Sequence, residues 1–143
     1  MYATDLLARQ DHSETRLRQK LAAREYPEDE IEDTISKLKK YSYLNDERAC
    51  TNQFDLMYNS NKYSVRQICA KLFQLGFDQS LIEKCKPEDC SEHDELTALK
   101  LLKSKFKTLP EDRKIQQFLA TKGFDYSSIS SVADKFKDSF ESK

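Results

Sequence analysis

Residues 64–84 read SVRQICAKLFQLGFDQSLIEK, and the chain states this stretch three times. Moved back 51 positions, its anchors Ile68, Leu72, Phe77 and Ile82 fall on Leu17, Leu21, Tyr26 and Ile31. Moved forward 47, they fall on Ile115, Leu119, Phe124 and Ile129. The only two glycines, Gly76 and Gly123, share one slot, each within a Gly-Phe-Asp triplet. Four apolar anchors in register across three copies are the signature of a repeat architecture. Within each copy the first two anchors are four residues apart, hence on one helix face.

The surrounding chain agrees with a helical array. Of 143 residues, 38% are hydrophobic and 34% charged. That is polar for a compact globule and usual for thin helical repeats, which expose much of each unit. Two glycines and three prolines leave little turn chemistry for sheets, and short loops between helices fit better. The expected helices span about 2–10, 13–25, 27–40, 46–59, 64–75, 78–85, 91–107, 110–122 and 125 onward. Asp11 or Ser13 caps the second of these, with Asp11 and Glu14 in a capping-box pattern; Asn45 or Asp46 caps the fourth, and Ser64, with Gln67 placed to close a box, caps the fifth. The seventh should bury Leu96, Leu99, Leu102 and Phe106. The last should bury Ile129, Val132, Ala133 and Phe136. Grouped in threes, the helices divide the chain at 1–41, 42–86 and 87–143. A unit of about 45 residues is near the lower limit for folding alone, so the units should stack.

Little in the chain suggests catalysis. Two isolated glycines cannot form a phosphate-cradling loop. His12 follows Asp11 at a helix start, but no motif places a nucleophile beside it, and a surface or capping-region histidine is the simpler reading. Cys85 and Cys90, with His93, have ligand-like spacing, yet structural zinc needs a second pair and none exists. The four cysteines are expected as reduced thiols. No enzyme activity, cofactor or metal is expected. The start shows no basic-then-apolar leader and no apolar run near 18 residues, so a soluble cytoplasmic protein away from membranes is expected.

Charge is more informative locally than globally, since the net charge is −1. The first copy carries Arg16, Arg18, Lys20 and Arg24. Residues 56–77 hold no acid but contain Lys62, Arg66 and Lys71. Lys100 and Lys103 open an acid-free run to Lys107, and Arg113 and Lys114 follow at the third copy. Acids gather at 28–33, where they complement a helix N-terminus, and at 88–95. Two readings stay open. Composition favours a solvated face of mixed sign; alignment of the basic segments would instead make a stripe able to meet phosphates or an acidic protein groove.

Three motifs carry a resemblance. They are Leu7-Ala8-Arg9-Gln10-Asp11-His12-Ser13 with Leu17 and Lys20-Leu21; Tyr43-Leu44-Asn45-Asp46-Glu47-Arg48; and Lys114-Ile115-Gln116-Gln117-Phe118-Leu119 with Lys122-Gly123-Phe124. In this order and spacing the chain resembles the RecX family, bacterial regulators of the RecA recombinase, over essentially its whole length. The resemblance implies an all-α fold, an elongated curved array of three tandem three-helix repeats. It also implies a non-enzymatic, monomeric protein that lodges in the RecA–DNA filament or acts at its growing end. Such proteins suppress ATP hydrolysis, strand exchange and co-protease activity, modulate recombination and the SOS response, and touch single- or double-stranded DNA weakly. The alternatives are a direct DNA-binding module using helix-turn-helix pairs, or a helical scaffold for another partner. The chain departs from the family pattern at Arg16, Asn45, Ala49, Ser64-Val65, Gln67 and Lys71. The middle copy departs most, and Arg66 stands one position, about 100° of helix rotation, from the place of a family arginine.

Overall fold

The computed structural model describes residues 2–3 and 12–141, the last of these by its backbone alone. Among the described residues, eight helices with defined bounds follow one another: α1 (Glu14–Ala23), α2 (Glu28–Lys40), α3 (Asp46–Ser60), α4 (Val65–Gln74), α5 (Gln79–Cys85), α6 (Ser91–Lys105), α7 (Asp112–Thr121) and α8 (Tyr126–Glu141). Among the described residues there is no strand. Tyr2 and Ala3 are helical, as expected for the first predicted helix. Its remainder, and the first motif from Leu7 to Asp11, lie outside the described residues.

The helices form two compact units, Met1–Asp55 with Ala70–Cys85, and Leu56–Cys69 with Lys86–Lys143. In the first unit, Leu17 and Leu21 of α1, Ile31, Ile35 and Leu38 of α2, and Leu44 bury against Ala3. In the second, Ala98 and Leu102 of α6, Ile115 and Leu119 of α7, and Ile129, Val132 and Phe136 of α8 enclose Phe124. Eleven of the twelve aligned anchors are buried, and the twelfth, Tyr26, is 40% exposed.

The aligned glycine slot has a clear physical role. Gly76 has φ +94° and Gly123 has φ +87°. Each ends a helix with a paired closure: Phe77 N–H to Leu72 O and Gly76 N–H to Phe73 O, then Phe124 N–H to Leu119 O and Gly123 N–H to Ala120 O. This is the Schellman arrangement, which needs a left-handed residue in the slot. In the first copy the same bonds form around Glu25, at φ +63°.

Space is the second reason for glycine. A Cβ on Gly76 would lie 2.8 Å from Ser13 Oγ, and one on Gly123 would lie 2.9 Å from Ser64 Oγ. These serines each do two things. Ser13 Oγ accepts the Arg16 N–H at 3.1 Å and donates to Leu75 O. Ser64 Oγ accepts the Gln67 N–H at 3.2 Å and donates to Lys122 O at 2.7 Å. An aspartate completes each joint: Asp46 Oδ1 accepts Glu14 N–H at 2.8 Å, and Asp94 Oδ1 accepts Val65 N–H at 3.1 Å. The first turn of one helix thus satisfies its orphan donors and the last carbonyls of another at once. One such joint stands in each unit.

Some local expectations change. Asn45, not Asp46, caps α3 through the Arg48 N–H at 3.0 Å, which leaves Asp46 for the joint. The Ser64 box closes from the serine side only; Gln67 Oε1 is buried without a hydrogen-bond partner among the described residues. The helix expected from Pro110 begins at Asp112, after an extended Glu111, and α6 stops at Lys105 because Phe106 is extended. On α6 the buried residues are Thr97, Ala98 and Leu102, whereas Leu96 is 58% exposed. Leu102 is buried and Leu99 and Phe106 pack partly buried against the core, as expected, so of the four residues of the expected stripe Leu96 alone lies outside it.

Candidate partner-binding surface

In the first unit α1 and its C-cap residue Arg24 carry four of the candidate cations, and their neighbours engage most of them. Arg18 makes a two-pronged contact with Glu32 of α2, its Nη1 with Oε1 and its Nη2 with Oε2, the latter at 3.2 Å. Its Nε lies 3.4 Å from Glu14 Oε2. Glu32 holds the Arg18 guanidinium in its charged form, raising its pKa, and the Arg18 hydrogen bond in turn lowers that of Glu32. Lys39 pairs with Glu14 and, as the largest influence, pulls the Glu14 carboxyl below its ordinary range. Lys20 Nζ is 2.8 Å from the ring Nε2 of His12. Arg24 lies over the Tyr2 ring, 4.1 Å from its centroid, a cation–π contact. Arg16 is exposed, with Gln19 Oε1 at 3.4 Å. Lys71 of α4 is exposed.

The acid cluster at 28–33 therefore does more than complement the helix dipole. Glu32 takes Arg18, and Asp33 takes Lys37 at 3.0 Å. Of these four cations, Arg18 is largely compensated and Lys20 is directed at a buried ring. His12 is itself 3% exposed, so the surface position considered for it is corrected.

In the second unit Lys62, Arg66, Lys100, Lys103, Arg113 and Lys114 are all exposed. Lys114 belongs to an open groove of about 320 Å³ between the end of α6 and α7, lined by Lys105, Phe106, Lys114, Phe118 and Lys122, with Gln117 and Thr121. No acid lines it. Phe106 and Phe118 meet edge to face with centroids 5.7 Å apart, and Lys122 Nζ lies 5.8 Å from the Phe118 centroid. Sequence reasoning selected Lys114 but missed its companions. In the sequence Lys105 is one lysine of the acid-free run, Phe106 reads as core, and Phe118 and Lys122 stand out only as motif residues.

A second groove, of about 360 Å³, has the opposite character: Asp89 and Glu92 line it with Tyr58, Asn59, Asn61, His93 and Leu96. His93 stacks on Tyr58 at 3.8 Å between centroids. Its Nε2 is 2.8 Å from Tyr58 O and its Nδ1 is 3.0 Å from Asp94 Oδ1. Both neighbours are acceptors, so both contacts are hydrogen bonds only when the ring carries two protons. Burial, ahead of nearby Asp94, pushes the Cys90 thiol up, away from the thiolate that metal binding requires. No group of three or more His, Cys, Asp or Glu among the described residues is placed to hold a metal. No described helix is long and apolar enough to cross a membrane.

What these features define is a small all-helical protein of serine–glycine-jointed helices, with its charge displayed on helix faces and in shallow grooves. A family model described as RecX, first three-helix domain, matches residues 1–38. The chain is 34% identical over 140 residues to a regulatory protein RecX of Vibrio parahaemolyticus, covering 95% of this chain and 89% of that protein. It is 30% identical to one of Neisseria meningitidis, covering 89% and 83%. A regulatory protein RecX of Clostridioides difficile is 30% identical over 93% of this chain, which spans 65% of that longer protein. A crystal structure of RecX from Lactobacillus salivarius matches with a TM-score of 0.73 at 24% identity over 95% of this chain and 92% of that one. Another, of a regulatory protein RecX, matches at 0.72 and 28% identity, over 91% and 67%. The chain belongs to the RecX family, a family of regulatory proteins.

Proposed function

We propose that this protein is a non-enzymatic regulator that binds the RecA recombinase filament and inhibits its ATPase, strand-exchange and co-protease activities, modulating recombination and the SOS response. The observation that carries this reading is the family relationship across nearly the whole chain, 34% identity over 95% of it. On this reading the protein acts as a cytoplasmic monomer of three repeats, residues 1–41, 42–86 and 87–143. Many modest contacts from successive repeats sum to a useful affinity on a filament with repeating protomers. Arg16, Arg66, Lys100, Lys103, Arg113 and Lys114 are the better contact candidates. Arg18 is the poorer one, because a charge already paired with Glu32 must break that pair to meet a partner. The test is DNA-dependent ATP hydrolysis by the cognate recombinase, with the protein titrated at substoichiometric amounts. Hydrolysis should fall. Unchanged hydrolysis, together with no association with the filament, would refute the reading.

The acid-free groove around Phe106 and Phe118 favours one second reading, direct binding of DNA, with lysines meeting phosphates and an aromatic ring meeting a base. Binding of that kind should weaken steeply between about 50 and 200 mM salt. Salt-insensitive binding, or none at micromolar protein, counts against it.

A further inference from the structure

We propose that Cys50 and Cys85 form a dithiol/disulfide redox site in the first unit, independent of the function proposed above. Sequence gives no hint of it, since the two residues are 35 apart and neither belongs to a CxxC pattern. The fold brings their sulfurs to 3.7 Å. All four cysteines are thiols in the structure. A disulfide needs sulfurs about 2.05 Å apart, closer than the 3.7 Å at which these two stand.

The two thiols differ in a way that orders the chemistry. Cys50, on α3, is fully buried. Cys85, the last residue of α5, is partly exposed, with Thr51 Oγ1 3.8 Å from its sulfur. Cys85 is therefore the sulfur that an external oxidant reaches, and Cys50 is the one that resolves the product. With a small disulfide such as oxidised glutathione as the oxidant, the Cys85 thiolate attacks one glutathione sulfur. The glutathione S–S bond breaks, and one glutathione leaves as thiolate and takes up the proton that Cys85 released. Cys50, losing its proton, then attacks the Cys85 sulfur of the mixed disulfide and displaces the second glutathione. In sum two cysteine thiols are oxidised to one disulfide, and oxidised glutathione is reduced to two thiols.

The covalent bond would close a loop through residues 51–84. That loop contains all of α4 and with it Lys62, Arg66 and Lys71. Oxidation would thus remove conformational freedom chiefly from the unfolded chain and so stabilise the folded one. The sulfur of Cys90 faces Asp94 Oδ2 at 4.0 Å.

The experiment equilibrates the full chain in glutathione buffers of increasing oxidised fraction, quenches with an alkylating reagent, and maps the products by mass spectrometry without reduction. The wild type should lose the mass of two hydrogens and yield one linked peptide pair, Cys50 with Cys85, while Cys69 and Cys90 are alkylated. Cys50→Ser should stop at a glutathione adduct on Cys85, and Cys85→Ser should leave Cys50 unmodified. Far-UV circular dichroism checks that both variants fold. The proposal is overturned if the wild type itself stops at the glutathione adduct, pairs other cysteines, or keeps four alkylatable thiols at the most oxidising ratio.

Discussion

Gly123→Ala tests the joint that recurs in both units. The added Cβ would sit 2.9 Å from Ser64 Oγ, while its next neighbours, Arg66 Cβ and Gln67 Cγ, are at an ordinary 3.5 Å. The backbone there has φ +87°, where an L side chain costs about 1–2 kcal/mol. Relieving the clash displaces the Ser64 hydroxyl, which loses its 2.7 Å bond to Lys122 O and strains its cap on Gln67 N–H. Those losses add about 1–2 kcal/mol. The total for Gly123→Ala is about 2–4 kcal/mol. Ser64→Ala alone, by loss of the same two bonds, should cost about 1.5–3 kcal/mol. In the double variant the hydroxyl is gone, so only the backbone strain remains to be added. The two changes should therefore fall short of additivity by about 1–2 kcal/mol. Urea denaturation followed by far-UV circular dichroism measures all four corners of the cycle. Additivity within about 0.5 kcal/mol would refute the close contact, and a Gly123→Ala cost below that would refute the requirement for glycine altogether.

Three further outcomes are expected. Leu119→Ala, at a fully buried position, should cost about 2–5 kcal/mol in the same assay, and a cost below about 0.5 kcal/mol would remove it from the core. Glu14, held below its ordinary value of 4.5 chiefly by Lys39, contributes stability that is present above its unfolded-state value and lost as pH falls through the folded one. Glu14→Gln should thus be less stable than wild type at neutral pH, with the difference vanishing as pH falls below the lowered value; urea midpoints against pH decide it, and an unchanging difference would assign the loss to packing. Reversing Lys105 and Lys114 together to Glu should weaken whatever polyanion or acidic surface the groove meets at least about tenfold at low salt, with the helical circular-dichroism signal retained; unchanged inhibition of RecA and unchanged DNA binding would exclude the groove from both interfaces.

The fold was legible because its determinants are local and repeat. Ile68 and Leu72 are four apart on one face, Gly76 ends the turn, and Asp78 begins the next helix, so short-range chemistry repeated three times identifies each anchor without knowledge of its neighbour. The errors arose where a helix offered more than one apolar face. On α6, Leu96 and Ala98 compete, and the packing of α6 on α8 and α7 buries Ala98 and Thr97 instead. The site was less legible because its parts meet only in three dimensions. No spacing rule joins Arg18 to Glu32, Phe106 to Phe118, or Cys50 to Cys85. Basic residues could be counted from sequence, but which of them had already been neutralised could not.

Neutralisation also bears on the departures of the middle copy. The aligned slot that holds Gly76 and Gly123 holds Glu25 in the first copy, and the difference follows from what meets it. Gly76 and Gly123 are each approached by a serine hydroxyl, so a side chain there is excluded by space as well as by φ. Glu25 is exposed, so only the dihedral cost applies, and about 1 kcal/mol is tolerable at one site. The joint therefore constrains Ser13, Ser64, Gly76, Gly123, Asp46 and Asp94 together. The exposed positions Arg66 and Lys71 supply none of these joint hydrogen bonds. On the function proposed above, these two charges belong to the surface offered to a partner and not to the scaffold. A loss of stability on charge reversal at Arg66 and Lys71, greater than the roughly 0.5 kcal/mol usual for surface sites, would contradict that separation of scaffold from surface.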